Sequence, residues 1–250
     1  MHRVVSADLA YRTYRDTGIA VLEASESAIE CAFVDAASAG LLGEPSPDIL
    51  ADFLATLCIE VGATALILDG PQAWKDPGNG LEHSRVCERA LHTPAKTGLP
   101  GVVKPGNYLP FVVFAIAVFD ALADRGWPRY AGNTGTGGQP IAIESFPMSA
   151  WKRLGIPILP AKARSQPEDL TSRLDTLRAG IPLRIASAPN HDELQALVAG
   201  LAAVGLRGSP LVGAHSSGVA PYKIDGAWRE GFIVNPAWPA AKPVAAHLNR

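Results

Sequence analysis

Three short apolar runs in this chain each lead into an acidic residue, and this pattern constrains the fold more than any other feature. Asp8, Asp69 and Glu144 each follow a run dominated by Val, Ile, Leu and Ala, and Asp192 stands at the start of an apolar helical segment. A carboxylate at the end of a buried strand is costly unless it has a partner or a metal ion. In open α/β sheets, ligands bind at the carboxyl ends of the strands. The pattern therefore predicts an α/β sheet with an acidic site at one edge.

Length and composition describe an ordinary globular protein. The chain has 250 residues, of which 48% are hydrophobic and 18% are charged, enough for one large domain or two small ones. We find no internal repeat and no convincing linker, so we predict a single domain over residues 1–250. A C-terminal hairpin extension is predicted at about residues 205–250.

The expected location is cytoplasmic. Three widely spaced cysteines form no CxxC pair, which favours buried free thiols in a reducing compartment. The N-terminus lacks a basic region followed by a long apolar stretch, so no signal peptide is expected. The longest apolar stretch, Phe111 to Phe119, is too short to span a bilayer, and no membrane association is predicted.

Hydrophobic periodicity predicts the order of elements along the chain. Strands are expected at residues 2–8, 19–23 and 27–34, close enough in sequence to form an antiparallel meander. Ser46 and Pro47 are typical of a helix start. The remaining predicted elements are a strand ending at Asp69, helices at 81–92 and 109–124, a glycine-rich connector at 131–139, a strand ending at Glu144, helices at 147–154, 166–178 and 190–204, and a hairpin turning at Asp225-Gly226.

This order of elements resembles that of RNase H-like proteins. The resemblance implies a mixed sheet, with an antiparallel three-strand meander plus parallel strands in the order 3-2-1-4-5, flanked by helices. It also implies that the first, fourth and fifth strands are neighbours. Asp8, Asp69 and Glu144 would then converge, and Asp192 would close the cluster from a helix start.

A cluster of four carboxylates calls for a cation or for protonation, because like charges a few Å apart repel. Oxygen ligands of this kind suit Mg²⁺ or Mn²⁺. Two such ions about 4 Å apart can activate water and stabilise the leaving oxygen of a phosphodiester. We therefore predict that Asp8, Asp69, Glu144 and Asp192 are both metal ligands and catalytic residues, and that the chemistry is phosphodiester hydrolysis in nucleic acid.

Each acid also has a simpler interpretation. Asp8 and Asp69 could be turn residues that bond their own backbone. Glu144 could pair with Arg153, and Asp192 could be a helix-start residue favoured by the helix dipole. All four simpler interpretations would have to hold together to remove the predicted site.

The chain resembles the family known as domain of unknown function 429, whose members are predicted RNase H-like nucleases. The segments that carry the resemblance are Asp8–Ala10, Leu68–Pro71, Arg85–Arg89, Ile143–Pro147 and His191–Val198. Gly70 stands where Ala is commoner in the family, and the acid of the fourth strand is Asp where many RNase H-like enzymes use Glu.

Three further residues are predicted to contact the substrate. Arg85 and Arg89 are four apart on one face of the predicted helix and would bind phosphates, although Arg85 could instead pair with Glu82 or Glu88. His191, beside Asp192, would act as a proton shuttle. The formal net charge of −2 argues against a general charge-driven grip on nucleic acid, so binding would depend on a local basic rim formed by Arg85, Arg89, Lys152, Arg153, Lys162 and Arg164.

Two other functions compete with a nuclease. The first is a non-catalytic RNase H-like module that binds nucleic acid or a protein. The second is a phosphotransferase of the actin and sugar-kinase superfamily, which the length disfavours because that superfamily normally has a duplicated core.

Overall fold

The predicted apolar runs form the strands of one mixed sheet in the computed structural model, which describes residues 2–132 and 138–239. Most of the glycine-rich connector (residues 133–137) and the last part of the predicted extension (residues 240–250) lie outside the described residues. The strands are β1 His2–Asp8, β2 Gly18–Ala24, β3 Ile29–Phe33, β4 Ala65–Asp69, β5 Ile141–Ser145, β6 Leu183–Ile185, β7 Gly213–Ile224 and β8 Ala227–Ala237.

The strand order across this sheet is β6-β3-β2-β1-β4-β5-β8-β7. β1 pairs antiparallel with β2 and β2 antiparallel with β3, whereas β1 with β4 and β4 with β5 are parallel. The predicted 3-2-1-4-5 order and the predicted mixture of directions are therefore confirmed, and the fold is an RNase H-like mixed sheet flanked by helices.

The helices form a layer on each face of the sheet. They are α1 Pro47–Val61, α2 Val86–Leu91, α3 Leu109–Asp124, α4 Pro147–Arg153, α5 Pro167–Gly180 and α6 His191–Leu206, with short 3-10 helices at Tyr14–Asp16, Gly106–Tyr108 and Lys162–Arg164. Of the two larger cores, one lies between the sheet and α4, α5 and α6, and the other lies between the sheet and α1 and α3.

The predicted helix at 81–92 is wrong over its first half, because α2 begins only at Val86. Arg85 is extended, with φ −68° and ψ 161°. Its backbone N–H donates to the carboxylate of Glu88 at 3.0 Å, and its guanidinium turns into the interior. The local capping bond with Glu88 and the distant bond with Glu144 together override the helical pattern before Val86.

The close approach of α6 to the sheet depends on glycines. A Cβ at Gly18, the first residue of β2, would lie 2.2 Å from the backbone carbon and oxygen of Asp192. A Cβ at Gly200 in α6 would lie 2.5 Å from a methyl carbon of Leu22. Gly18 is also the register partner of Asp8 on β1. The absence of a side chain at Gly18 thus lets the start of α6 lie beside the end of β1.

The C-terminal hairpin is present and extends the sheet beyond β5. Asp225 and Gly226 both have positive φ, 50° and 76°, as the predicted two-residue turn between β7 and β8 requires. β8 pairs parallel with β5 at Glu144 and Ile233. The three-residue strand β6, at the other edge of the sheet, was not predicted.

One helical segment, Gly106–Asp124, is long and apolar enough to cross a membrane by length and composition alone. It includes α3, whose residues Val112, Ala115, Phe119 and Leu122 are buried in the protein. A core helix passes the same test, so the predicted absence of a membrane span stays a prediction.

Substituting Gly18 by alanine tests the packing of α6. We expect Gly18→Ala to lower the free energy of unfolding by roughly 1–3 kcal/mol, because the added methyl must displace backbone atoms. Urea denaturation measures the change. Gly106→Ala is the matched control, since a Cβ there meets nothing within 4 Å. Equal stability of the two variants would show that α6 can move away at no cost.

Candidate active site

The ends of β1 and β4 place two carboxylates side by side. Asp8 and Asp69 are register partners in parallel strands, so their side chains leave the sheet on the same face. Gly70 follows with φ 151°, and a Cβ there would lie 2.8 Å from the Cβ of Ala115. Glycine is therefore required directly after Asp69, where the chain must leave the sheet past α3.

Proximity and burial raise the pKa values of both carboxyl groups in this pair. Burial, with the nearby charges of Asp69 and Asp192, raises the pKa of Asp8 well above its ordinary value. Burial also raises the pKa of Asp69 to about 7, and Glu144 adds to this effect while a hydrogen bond with Asp8 opposes it. The pair therefore shares a proton near neutral pH unless a cation takes the proton's place.

Asp192 lies near this pair at the first turn of α6 and is engaged by two basic side chains. Lys162 Nζ lies 2.5 Å from Asp192 Oδ2 and 2.7 Å from Asp16 Oδ1. Burial opposes ionisation of Asp192, but hydrogen bonds from His191 and Lys162 outweigh burial and lower its pKa. Asp192 is thus an ionised carboxylate whose counter-charge comes from the protein itself.

His191 is held at both ring nitrogens. Nδ1 lies 3.1 Å from Asp192 Oδ1, and Nε2 lies 2.9 Å from the carbonyl oxygen of Pro160. Because both partners are acceptors, both bonds form together only when the ring carries two N–H groups. The predicted role of His191 as a proton shuttle stays a prediction.

The side chain of Glu144 does not lie in the same row as those of Asp8 and Asp69. β5 ends one residue later than expected, at Ser145, and it is Ser145 that is in register with Asp69, whereas Glu144 faces Leu68. A shift of one residue along a strand reverses the face of the side chain. The predicted convergence of three strand-end acids therefore holds for Asp8 and Asp69, while the third place in the row is occupied by Ser145.

The carboxylate of Glu144 is instead bound by Arg85. The two guanidinium nitrogens of Arg85 donate to its two oxygens at 2.7 and 2.5 Å, and the backbone N–H of Gln72 donates at 3.0 Å. Glu144 is 2% exposed and Arg85 is 1% exposed. For Glu144 to bind a metal ion, this buried ion pair would have to be broken. Its partner is Arg85, not the Arg153 considered from the sequence.

The two predicted phosphate-binding arginines do not share a helix face, because α2 starts after Arg85. Arg85 is buried and also bonds Glu88 at 3.1 Å, as the simpler interpretation proposed. Arg89 is exposed. A phosphate contact by either residue stays a prediction.

An open cleft of about 530 Å³ lies beside Asp8 at one side of the acidic pair. Asp8, Asp16 and Asp192 line it together with Arg12, Lys162, Tyr108 and Phe111. The cleft thus offers basic and acidic groups close together, as a site for a phosphate ester and a cation would need. Lys162 was considered only as part of a basic rim, and Arg12 and Asp16 were missed because nothing in the sequence connects them to Asp192.

Among the described residues, no group of three or more His, Cys, Asp or Glu side chains has an arrangement that could hold a metal ion. In the part of the chain that the structure describes, Glu144 is bound to Arg85 and Asp192 to Lys162, which leaves Asp8 and Asp69 without a basic partner at hydrogen-bond distance.

Comparison with known proteins gives a distant structural likeness. The chain is similar to Thermus thermophilus RuvC, with 11% sequence identity, a TM-score of 0.37, and coverage of 78% of this chain and 89% of that chain. No protein-family model matches the chain, and no curated protein does. The fold assignment accordingly rests on the strand order, and membership of the family of domain of unknown function 429 stays a prediction.

The shared proton predicts how stability depends on pH without metal ions. The folded pKa of Asp69, about 7, exceeds its ordinary 3.8. Its contribution to stability is therefore fully present below about pH 4 and is lost as the pH rises towards 7. Over this range the free energy of unfolding of Asp69→Asn should rise relative to that of the native protein by at most about 4 kcal/mol, at 1.4 kcal/mol per pKa unit. The gain should be smaller than this limit because the pair is partly exposed to solvent.

The measurement is urea denaturation at several pH values in the presence of a chelator. Asp175→Asn, on the exposed side of α5, is the control and should follow the native curve. Parallel curves for the native protein and Asp69→Asn would show that the pair does not hold a proton.

Proposed function

We propose that this protein is a divalent-metal-dependent nuclease that hydrolyses phosphodiester bonds in nucleic acid. The observation that supports this proposal best is the Asp8–Asp69 pair: two carboxylates in register at the carboxyl ends of parallel strands, with Asp8 lining the open cleft and Asp69 lining an adjoining cavity. We also propose membership of the family of domain of unknown function 429, on the segments that carry the resemblance.

The donor set fits one Mg²⁺ or Mn²⁺ ion better than two. Mg²⁺ is commonly bound by one or two carboxylates, and water and substrate phosphates complete its coordination. Asp8 and Asp69 supply such a pair, and a cation between them would replace the shared proton. When bound, such an ion supplies positive charge at a phosphoryl oxygen and lowers the pKa of a water molecule.

Lys162 is proposed to provide the second positive charge of the site. Its ammonium lies against Asp192, and its charge lowers the pKa of Asp8, so it stands among the acids that would otherwise attract a second cation. Its side chain is 52% exposed and lines the cleft, within reach of a phosphate oxygen. Asp16 and Asp192 hold Lys162 in place, and Asp192 thus acts through Lys162 rather than as a metal ligand.

A non-catalytic binding module is the second candidate. One observation favours it: two of the four predicted acids already have counter-charges within the protein, Glu144 from Arg85 and Asp192 from Lys162. Such a module would bind nucleic acid or a protein without needing Asp8 and Asp69.

Cleavage assays decide between the two candidates. Purified protein is incubated with single-stranded, duplex and branched DNA and RNA, with Mg²⁺, Mn²⁺ or chelator. We expect metal-dependent cleavage, which Asp8→Asn and Asp69→Asn reduce on the order of 100-fold or more, since even outer partners of metal ligands contribute about 10- to 100-fold. Asp175→Asn should retain full activity. Absence of cleavage with every substrate and metal would favour the binding module.

Metal stoichiometry tests the role of Lys162. Calorimetry with Mn²⁺ should give one ion per native chain and none for Asp69→Asn. Lys162→Met should bind a second ion, because Asp192 loses its internal counter-charge and becomes available beside Asp8. Lys152→Met, at an exposed position of α4, is the matched control. An unchanged stoichiometry and affinity in Lys162→Met would contradict the assignment.

A further inference from the structure

A second, smaller cavity of about 200 Å³ opens beside Asp69. Tyr108, Phe111, Phe146 and Met148 line it on the apolar side, and each of these side chains is partly exposed. Asp69 and Ser145 lie at its polar side together with the buried network of Arg85, Glu88, Thr97 and Glu144, and Thr93 also lines the cavity. The cavity therefore has aromatic walls and polar groups at one end, directly next to the proposed reaction site.

Ser145 lines this cavity, and among the described residues its hydroxyl group has no hydrogen-bond partner. Ser145 is 2% exposed, and its Oγ forms no hydrogen bond. Buried polar atoms in native proteins nearly always have a partner, so a lone buried hydroxyl that lines a cavity points to a polar ligand or an ordered water molecule. Glu144, Arg85, Glu88 and Thr97 bind one another in this cavity wall, which leaves Ser145 and Asp69 as the groups that can contact a ligand.

The size of the cavity limits what can fill it. An apolar cavity of about 150 Å³ holds a benzene molecule, whereas sites for drug-sized ligands measure about 300–1,000 Å³. A cavity of about 200 Å³ therefore suits one planar ring system and is too small for a whole nucleotide. Aromatic walls provide surfaces on which a nucleobase can stack, and Ser145 can donate to or accept from the polar edge of the base.

The cavity and the cleft share two walls. Tyr108 and Phe111 line both spaces, and Asp69 in the cavity is the register partner of Asp8 in the cleft. A nucleic-acid strand whose backbone follows the cleft past Asp8 can thus place one base in the cavity without leaving the site.

We propose that this cavity binds a single nucleobase turned out of its stack, in a strand whose phosphodiester lies at the Asp8–Asp69 pair. This inference rests on the proposed nuclease function and adds the substrate class. Extruding a base from a duplex is easiest where that base is unpaired. The substrate is therefore single-stranded nucleic acid, or a duplex with an unpaired nucleotide, rather than a fully paired duplex.

The test compares binding of two duplexes that differ in one nucleotide. One carries a single unpaired 2-aminopurine, and the other pairs that residue fully. Affinity and 2-aminopurine fluorescence are measured with Ca²⁺ as the cation, and electrophoresis verifies that the oligonucleotides stay intact. We expect the native protein to bind the unpaired form roughly 10-fold more tightly, as stacking on aromatic side chains implies, with a change in fluorescence.

Two variants probe the cavity itself. Met148→Trp fills it and should abolish the preference for the unpaired form. Ser145→Ala keeps its shape but removes the hydroxyl, and should reduce the preference about 2- to 10-fold, the range expected for one hydrogen bond. Val113→Trp, at a position on α3 that is 47% exposed, is the matched control and should keep the native preference. Thermal melting monitored by circular dichroism checks that each variant folds.

The outcomes separate this inference from the proposed function. Equal affinity of the native protein for both duplexes, or an undiminished preference in Met148→Trp and Ser145→Ala, would overturn the base-binding cavity. Metal-dependent cleavage of fully paired duplex, together with equal affinity for the two duplexes, would support the nuclease function without the base-binding cavity. If Met148→Trp abolishes the preference but the native protein cleaves no substrate, the base-binding cavity is supported and the nuclease function is rejected.

Discussion

The parallel register of β1 against β4 is the constraint on which the candidate site depends. It sets Asp8 beside Asp69 at the same edge of the sheet, and neither carboxylate has a basic partner at hydrogen-bond distance among the described residues. The surrounding structure maintains this arrangement. Gly70 takes the chain away from β4 at positive φ, and Gly18 admits the start of α6 with Asp192. Two neighbouring acids without a counter-ion are unfavourable, so a fold that brings them together this closely indicates a function that uses them.

The same edge of the sheet shows a second way of accommodating a buried acid. Glu144 is matched by the guanidinium of Arg85 and the N–H of Gln72, and all of this pairing is buried. Removing one partner of a buried ion pair typically costs about 3–5 kcal/mol, because the other charge is left uncompensated. Recruiting Glu144 to a metal ion would leave Arg85 in that position. The pair is therefore best understood as an element that fixes α2 and the loop after β4 against β5, and it explains why this acid stays away from the cleft.

Most of the fold follows from periodicity, whereas the site depends on single-residue registers that periodicity does not resolve. The meander and the long helices α3 and α6 follow from apolar spacing, the start of α1 follows from Ser46 and Pro47, and the strand order follows from the RNase H-like resemblance. The end of β5 was misplaced by one residue, and that one residue decides whether Glu144 or Ser145 faces Asp69. The start of α2 was misplaced because the two terminal nitrogens of Arg85 donate to Glu144, 59 positions away in the chain. The contact of Lys162 with Asp192 is similarly distant in sequence, so no local pattern predicts it.

Charge also relates the two candidate functions to each other. A phosphate group that approaches Asp8 and Asp69 without a cation would meet negative charge at short range, where attraction and repulsion are strong because water is partly excluded. Lys162 and Arg12 oppose this repulsion, but Asp16 and Asp192 already engage Lys162. Nucleic acid can therefore occupy this cleft only when a cation or a proton neutralises the pair. A module that binds nucleic acid here without metal would therefore need the pair to hold its shared proton, so the charge state of the pair is itself part of the chemistry that this edge of the sheet imposes.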